Sequence, residues 1–252
     1  MKGNIVPWWD FTPKWLGLKS LGLSPNTIFV ENTVREEFLK RFWNSTIIAF
    51  SSSTIAVALG SCSAYGLSRF SYRFGFMRNS DISFFFLSQL ILPPVVLALP
   101  FLVLYKELAL LDTRIGLIAL YTLTVLPIVI WIMRDQFGSI PVELEEAAKM
   151  DGAGFIRIFV TIMLPLTKPV VATVSILQVL HAWNDFLLPL VITLANPGIR
   201  TLSVGVYAFK GEYFVDWSGM AAASVITILP IIILFLFMQK YFVEGVQGAV
   251  KG

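Results

Sequence analysis

Three polar side chains interrupt a long apolar run of the sequence, and they are the residues whose types could do chemistry. Gln178, His181 and Asp185 stand at i, i+3 and i+7, which places a carboxamide, an imidazole and a carboxylate on one helical face. Such groups are costly at membrane depth, so they could border a solute path or relay protons. Hydrogen bonding between helices is the commoner role. We predict interhelical contacts, with a translocation path through Gln178, His181, Asn184 and Asp185 as the alternative.

The other reactive residue types argue against catalysis in this chain. The sequence has one histidine and one cysteine, so it contains neither an HExxH nor a CxxC set of metal ligands. It lacks the GxxxxGKS/T phosphate loop, so any ATP would be hydrolysed by another polypeptide. Its 19 Lys and Arg are scattered through the loops, which argues against nucleic-acid binding. We predict no catalytic residue, no metal and no cofactor bound by this chain.

The elements that position these groups are membrane helices. The 252 residues are 56% hydrophobic and only 14% charged, with a mean hydropathy of +0.77, which is typical of an integral membrane protein. We predict an all-α, polytopic transmembrane bundle with membrane lipid around it. Five apolar segments are long enough to span a bilayer, at residues 42–67, 82–104, 115–133, 170–194 and 220–242.

The distribution of positive charge predicts the orientation of the spans. Apart from residues 1–41, nine Lys and Arg lie in the segments on one side of the membrane and four in the two loops on the other, which places loop 134–168 and the tail 244–252 in the cytoplasm. Residues 1–41 are then an extracytoplasmic segment, and residues 42–243 form the transmembrane domain. The six cations of residues 1–41 are unfavourable for translocation, so we expect a further span upstream.

Residues 139–168 form a polar insert between two apolar runs, and their pattern predicts a helical hairpin. Ser139 is a candidate cap for the first helix, and Glu145 and Lys149 are spaced for an i, i+4 ion pair. Leu144, Ala147 and Ala148 share a face that a partner surface could approach closely. Gly152 predicts the end of this helix near Asp151.

The second arm of this hairpin has an apolar period. Phe155, Ile158, Phe159 and Ile162 follow helical spacing, and we expect the arm to end at Pro165. A hairpin of this kind could dock onto a partner protein or lie on the membrane surface. The residue pattern alone leaves both alternatives open.

The spacing of the insert resembles a known family motif. Glu146-Ala147-Ala148, Gly152, Ile162 and Leu164-Pro165 match the EAA loop of ABC importer permeases at every spaced position. The resemblance implies that the loop is a coupling helix seated in a groove of a separate ATPase subunit. Glu146 would pair there with a basic group. The residues implied in ATPase coupling are Glu146, Ala147, Ala148, Lys149, Asp151, Gly152, Ile162, Leu164 and Pro165.

Further segments resemble the carbohydrate branch of these permeases, in particular the second membrane subunit of the maltose importer. They are AYGLSRF at 64–70, residues 92–113, AWNDFLLPL at 182–190 and the C-terminal YFVEGVQGAVKG. The resemblance implies a multi-pass protein of the plasma membrane with six spans in complete members. It also implies three kinds of partner: a second homologous permease, two ATPase subunits that hold ATP and Mg²⁺, and an extracytoplasmic solute-binding protein.

An aromatic loop lies between the last two predicted spans. Tyr207, Tyr213 and Trp217 could contact the binding protein, as the resemblance implies, or belong to the aromatic belt at the membrane interface. The leading interpretation is thus a transmembrane subunit of an ATP-driven sugar importer. Two other classes remain open: an ion-coupled secondary transporter that uses His181 and Asp185, and a membrane assembly subunit that transports nothing.

Overall fold

A computed structural model describes residues 30–207 and 217–250, and these residues are almost entirely helical. The prediction of an all-α bundle with several apolar spans is confirmed. Helix α1 spans Val30–Arg69 and therefore begins well before the predicted first span. Two short strands follow, β1 at Arg73–Phe74 and β2 at Met77–Arg78, and they pair antiparallel across a tight turn.

The second span is broken at its centre. Helix α2 (Asn79–Ser88) continues into a 3₁₀ turn at Gln89–Ile91, and helix α3 runs over Pro94–Glu107. The two halves meet at an angle of 98°. Pro93 and Pro94 explain the break, because neither has an N–H to continue the helix and a residue before proline favours extended backbone. Leu92 and Pro93 both adopt that extended conformation.

Helix α4 (Arg114–Gly138) runs through the middle of the bundle and packs along α1. Its first turn is capped by Thr113, whose hydroxyl accepts the Gly116 N–H at 3.0 Å. The two helices approach closely at Gly60, where an added Cβ would lie 2.5 Å from Val129 Cγ1. Small residues allow such close approach where helices pack in membranes.

The hairpin and the next span form a second bent unit. Helix α5 (Glu143–Met150) is followed by α6 (Phe155–Ile158), a π-helical turn at Phe159–Met163 and the short α7 (Leu164–Leu166). Helix α8 (Lys168–Asn184) then leaves at 79° to the segment before it. The bend falls at Thr167, so the arm extends one residue beyond Pro165, where it was predicted to end.

The predicted span 170–194 is not one continuous helix. Helix α8 ends at Asn184, and a separate short helix α9 covers Leu187–Ile192. Asp185 is extended, and its Oδ1 accepts the Leu187 N–H at 3.1 Å, which starts the new helix in a different direction. The remainder consists of a 3₁₀ turn at Pro197–Ile199, helix α10 (Leu202–Tyr207) and helix α11 (Trp217–Val250).

Three helices among the described residues are long and apolar enough to cross a membrane, and the count rises to five if each bent pair is one span. The long helices are Glu36–Arg69, Arg114–Gly138 and Gly219–Leu236, and the bent pairs are Asn79–Ile91 with Pro94–Glu107 and Phe155–Leu166 with Lys168–Asn184. The protein is therefore membrane-embedded. Buried side chains form two clusters, one around Tyr121 and Trp183 and one around Phe137, Ile158 and Met163 beneath the hairpin.

Candidate functional site

The hairpin turns at Gly152, as the sequence predicted. Helix α5 ends at Met150, and Gly152 has a φ of +80°, a left-handed conformation that favours glycine. The Gly152 N–H donates to the Lys149 carbonyl at 3.0 Å and the Ala153 N–H to the Ala148 carbonyl at 2.9 Å. These two bonds form a Schellman motif, which satisfies the last carbonyls of α5 and fixes the exit of the chain.

The predicted cap of this hairpin is wrong. Ser139 ends α4 rather than starting α5, and its hydroxyl donates to the Gln136 carbonyl at 2.8 Å. Helix α5 begins only at Glu143. Glu143, Glu145 and Glu146 all lie in its first turn, where negative charge complements the positive end of the helix dipole.

Glu145 is the residue whose role the sequence did not reveal. It is 2% exposed, and its carboxylate accepts hydrogen bonds from Arg69 Nε and, at 2.9 Å, from the Tyr65 hydroxyl. Arg69 Nη2 also donates to the Ile140 carbonyl at 2.8 Å. We call Tyr65, Arg69, Ile140 and Glu145 the α1–α5 clamp, because they tie the end of α1 to the start of the hairpin.

The predicted ion pair between Glu145 and Lys149 is therefore wrong. The buried Glu145 carboxylate needs a buried partner, and Arg69 supplies it. Lys149 instead places its ammonium 5.5 Å from the centre of the Phe155 ring. One sequence signal could have indicated the clamp: Tyr65 and Arg69 are four residues apart at the end of an apolar run, where an arginine at the edge of a span needs a partner.

The two alanines of the motif do not share one surface. Ala148 is only 9% exposed and packs into the cluster beneath the hairpin, so it is not part of a docking face. Ala147 is exposed, together with Glu143, Glu146 and Met150. These four residues stand at i, i+3, i+4 and i+7, so they form one helical face, which we call the α5 outer face. Met150 is 88% exposed, which is unusual for a large apolar side chain.

The second arm holds the hairpin against the bundle. Ile158 and Met163 are fully buried, whereas Ile162 and Leu164 are half-buried against the same cluster. The π turn at Phe159–Met163 shifts the helical register, so Met163 rather than Ile162 occupies the innermost position. Phe155 does not face the core as the predicted apolar period required. Its side chain is 55% exposed, and its ring centre lies 5.4 Å from that of Phe70. Pro165 is exposed within α7.

The polar stripe of α8 divides into groups with different environments. Gln178 is fully buried and donates from Nε2 to the Tyr121 carbonyl on α4 at 3.2 Å, which is an interhelical hydrogen bond of the predicted kind. Asn184 is exposed and donates to the Leu180 carbonyl of its own helix at 3.0 Å. His181 and Asp185 both line a cavity of about 530 Å³. A shared solute path through all four residues stays a prediction.

The predicted contact surface for a binding protein is described only in part. The Tyr207 ring lies 5.4 Å from that of Phe186, and Trp217 is 74% exposed. Tyr213 lies outside the described residues. Within the described ranges 30–207 and 217–250, no group of three or more His, Cys, Asp or Glu could hold a metal ion.

A membrane bundle with bent spans and a clamped helical hairpin defines the class of transport permeases. The family model for the binding-protein-dependent transport system inner membrane component matches residues 56–248, and the chain belongs to this family. The resemblance inferred from the EAA spacing is thereby confirmed.

Curated relatives cover most of the chain. It is 37% identical over 215 residues to the probable ABC transporter permease protein YurM of Bacillus subtilis, covering 84% of this chain and 69% of that protein. It is 32% identical to the melibiose/raffinose/stachyose import permease protein MelC of the same organism, covering 96% of this chain and 86% of that protein.

The fold is also similar to solved structures. One comes from a bacterial ABC transporter involved in the import of the acidic polysaccharide alginate, with a TM-score of 0.69 at 24% identity over 82% of this chain and 76% of that chain. Another is the MetNI methionine ABC transporter in an inward-facing conformation, with a TM-score of 0.61 at 14% identity over 84% of this chain and 98% of that chain. At these identities the likeness establishes the fold alone.

Proposed function

We propose that this chain is a transmembrane subunit of an ATP-driven importer of sugars or oligosaccharides in the plasma membrane. Family membership carries the transport class. The sugar class rests on the relatives, whose names include melibiose/raffinose/stachyose import for MelC and arabinooligosaccharide transport for AraQ of Bacillus subtilis. The chain acts as a permease, and ATP with Mg²⁺ is bound and hydrolysed by partner ATPase subunits.

The α5 outer face supports the proposed contact with an ATPase. Its exposed residues are acidic at Glu143 and Glu146, small at Ala147 and apolar at Met150. A groove with a basic wall and an apolar floor would accept these side chains, with Ala147 allowing close approach. Ala148 takes no part in this contact, because it faces the bundle.

The α1–α5 clamp supplies a route by which an ATPase would move the membrane spans. A force on α5 is transmitted through Glu145 to Arg69 and Tyr65 at the end of α1, since these groups are buried and hydrogen-bonded. Helix α1 in turn packs along α4 and α8. Closure of two ATPase subunits would therefore shift α1 together with the hairpin and switch the bundle between inward-facing and outward-facing states.

The proposal requires a complete assembly around this chain. It comprises a second homologous permease, two ATPase subunits and an extracytoplasmic binding protein that delivers the sugar. Tyr207 at the end of α10 and Trp217 at the start of α11 belong to the proposed surface for that delivery, and the hairpin is proposed to lie on the cytoplasmic side.

Uptake into proteoliposomes that contain the complete importer tests the function. We expect uptake of radiolabelled melibiose or raffinose that depends on ATP and on the binding protein and that persists when an ionophore dissipates ion gradients. Uptake that an ionophore abolishes and ATP does not affect would instead identify an ion-coupled transporter. Uptake that is unchanged when this chain is deleted would identify an assembly subunit.

A further inference from the structure

Two breaks in the membrane helices meet at one cavity. Leu92 and Pro94 flank the bend between α2 and α3, and Asp185 and Leu188 flank the break between α8 and α9; all four residues line the same cavity of about 530 Å³. Broken helices within membranes are tolerated where the irregular backbone lines a cavity, and transporters place solute sites at such breaks. The two discontinuities therefore mark this cavity as a candidate site.

The cavity wall combines apolar surface with a few polar groups. Phe86 and Phe101 contribute aromatic rings, while Gln89, Thr124, His181 and Asp185 contribute hydrogen-bonding groups. A sugar presents the same two characters, because its C–H faces are apolar and its hydroxyls are polar. Sites that bind small solutes commonly have this composition, with a mostly apolar wall and a small number of placed polar groups.

One carboxylate oxygen of Asp185 makes no hydrogen bond of normal geometry at this wall. Its Oδ1 accepts the Leu187 N–H, whereas the buried Oδ2 has no partner at normal hydrogen-bond geometry among the described residues. The fully buried Tyr121 hydroxyl also makes no hydrogen bond of normal geometry, but it is close enough to Asp185 for a weak hydrogen bond and an electrostatic interaction, and the Tyr121 ring lies 6.2 Å from that of His181. Buried polar atoms rarely remain unsatisfied, and a solute hydroxyl would satisfy the carboxylate.

The acidic character of the cavity lining would favour neutral sugars over anionic ones. Asp185 is the acidic residue among the described residues that line the cavity, and none of these residues is Lys or Arg. A uronic or sulfonated sugar would bring its negative charge next to the Asp185 carboxyl group, with no cationic side chain among the described lining residues to offset it. A neutral sugar would donate its hydroxyls to Asp185 without that cost.

We propose that this cavity is a subsite for neutral sugars on the translocation path, with Asp185 as the hydroxyl acceptor and His181 beside it. The proposal rests on the proposed import function and adds to it that this chain itself contacts the solute and favours uncharged sugars.

Two variants test the subsite in proteoliposomes of the complete importer, with radiolabelled raffinose as the probe. Asp185→Asn replaces one carboxyl oxygen by an amide NH2, which cannot accept a hydrogen bond, and Leu97→Trp fills the cavity from α3. Leu99→Trp is the matched control, because Leu99 is 71% exposed on the same helix and does not line the cavity. Thr173→Ala is the control on α8, where the Thr173 hydroxyl bonds to the Pro169 carbonyl of its own helix.

We expect both test variants to lower raffinose uptake by about tenfold or more, while stimulation of ATP hydrolysis by the binding protein stays within about twofold of wild type. Wild-type uptake by the Leu97→Trp importer would overturn the subsite. An equal loss of uptake and of stimulated ATP hydrolysis would also overturn it, because that result indicates structural damage. If the Asp185→Asn importer does not assemble, the comparison of raffinose uptake between Leu97→Trp and Leu99→Trp tests the subsite. Failure of the proposed function is distinct, since the wild-type importer would then show no ATP-dependent uptake.

Discussion

Arg69, the last residue of α1, donates a hydrogen bond to Glu145, which lies in the first turn of the hairpin helix 76 residues further along the chain. Their side chains are 10% and 2% exposed, so both charges are largely removed from water. Buried charges of this kind are stable only as a pair, because each would otherwise lose its hydration without compensation. This buried ion pair therefore ties the hairpin to the first long span.

Removal of one charge of this pair should be costly. We expect Glu145→Ala to destabilise the purified protein by about 3 kcal/mol, since it leaves the Arg69 guanidinium buried without its carboxylate. Melting temperature in detergent measures the effect. Glu143→Ala is the matched control on the exposed side of the same helix, and it should change stability by less than about 0.5 kcal/mol.

The coupling within the pair has its own signature. The double variant Arg69→Met with Glu145→Leu should be less destabilised than the sum of the two single variants, because neither charge remains unpaired. Strict additivity would contradict the proposed clamp. The two single variants also test whether the clamp transmits movement from the ATPase to the spans. In the assembled importer they should hydrolyse ATP but transport less sugar for each ATP.

Glu146 is the acidic group through which we expect the ATPase to dock. Glu146→Lys reverses a charge on the α5 outer face without disturbing a buried contact, so insertion and melting temperature should stay at wild-type values. Uptake should fall by about tenfold or more, and the ATPase subunits should be lost on purification, because attraction becomes repulsion. Glu107→Lys at the exposed end of α3 is the control. Normal uptake by a correctly assembled Glu146→Lys importer would exclude docking through this residue.

The turn between the two arms of the hairpin should tolerate alanine at Gly154 but not at Gly152. An added Cβ meets nothing within 4 Å at either Gly152 or Gly154, so space does not distinguish them. Gly152 has a φ of +80°, whereas Gly154 has a φ of −76°, which any residue adopts. Gly152→Ala should therefore cost about 1–2 kcal/mol and impair transport, and Gly154→Ala should be close to neutral. Equal melting temperatures for the two variants would contradict the left-handed turn.

The contact between α1 and α4 should not tolerate one added methyl group at Gly60. Gly60→Ala brings a methyl group to 2.5 Å from Val129 Cγ1, which forces the two helices apart. We expect a loss of about 1–3 kcal/mol, measured as a lower melting temperature. Gly138→Ala, at the open end of α4 with nothing within 4 Å, should instead be neutral or slightly stabilising. A Gly60→Ala protein that melts at or above the wild-type temperature would show that the helices have room to separate.

The sequence predicted those parts of the fold that depend on local pattern. Apolar length indicated several membrane-spanning segments, and Gly152 located the turn of the hairpin, because a left-handed turn requires a residue type that can be recognised. The spacing from Glu146 to Pro165 indicated the family. Each of these signals lies within about 25 residues of chain.

Features that depend on distant contacts were not predictable. The partner of Glu145 lies on another helix, so the nearer Lys149 was chosen wrongly, and the inward direction of Ala148 follows from a cluster that only the folded bundle creates. The break at Asp185 was missed because the run 170–194 stays predominantly apolar on both sides of that residue, and apolarity does not report the direction of a helix. His181 and Asp185 were predicted as part of a stripe, but the cavity they share with α2 and α3 requires the bend at Pro93.

The π turn at Phe159–Met163 gives the spacing of the hairpin a mechanical meaning. A π turn accommodates one residue more than an α-helical turn, and removal of one residue from an α-helix rotates everything beyond it by about 100°. Deletion of a single residue here would therefore redirect the bend at Thr167 and with it the axis of α8, even if every motif residue were retained. The number of residues in this segment therefore sets the angle between α5, which the ATPase is proposed to contact, and α8, which would have to move.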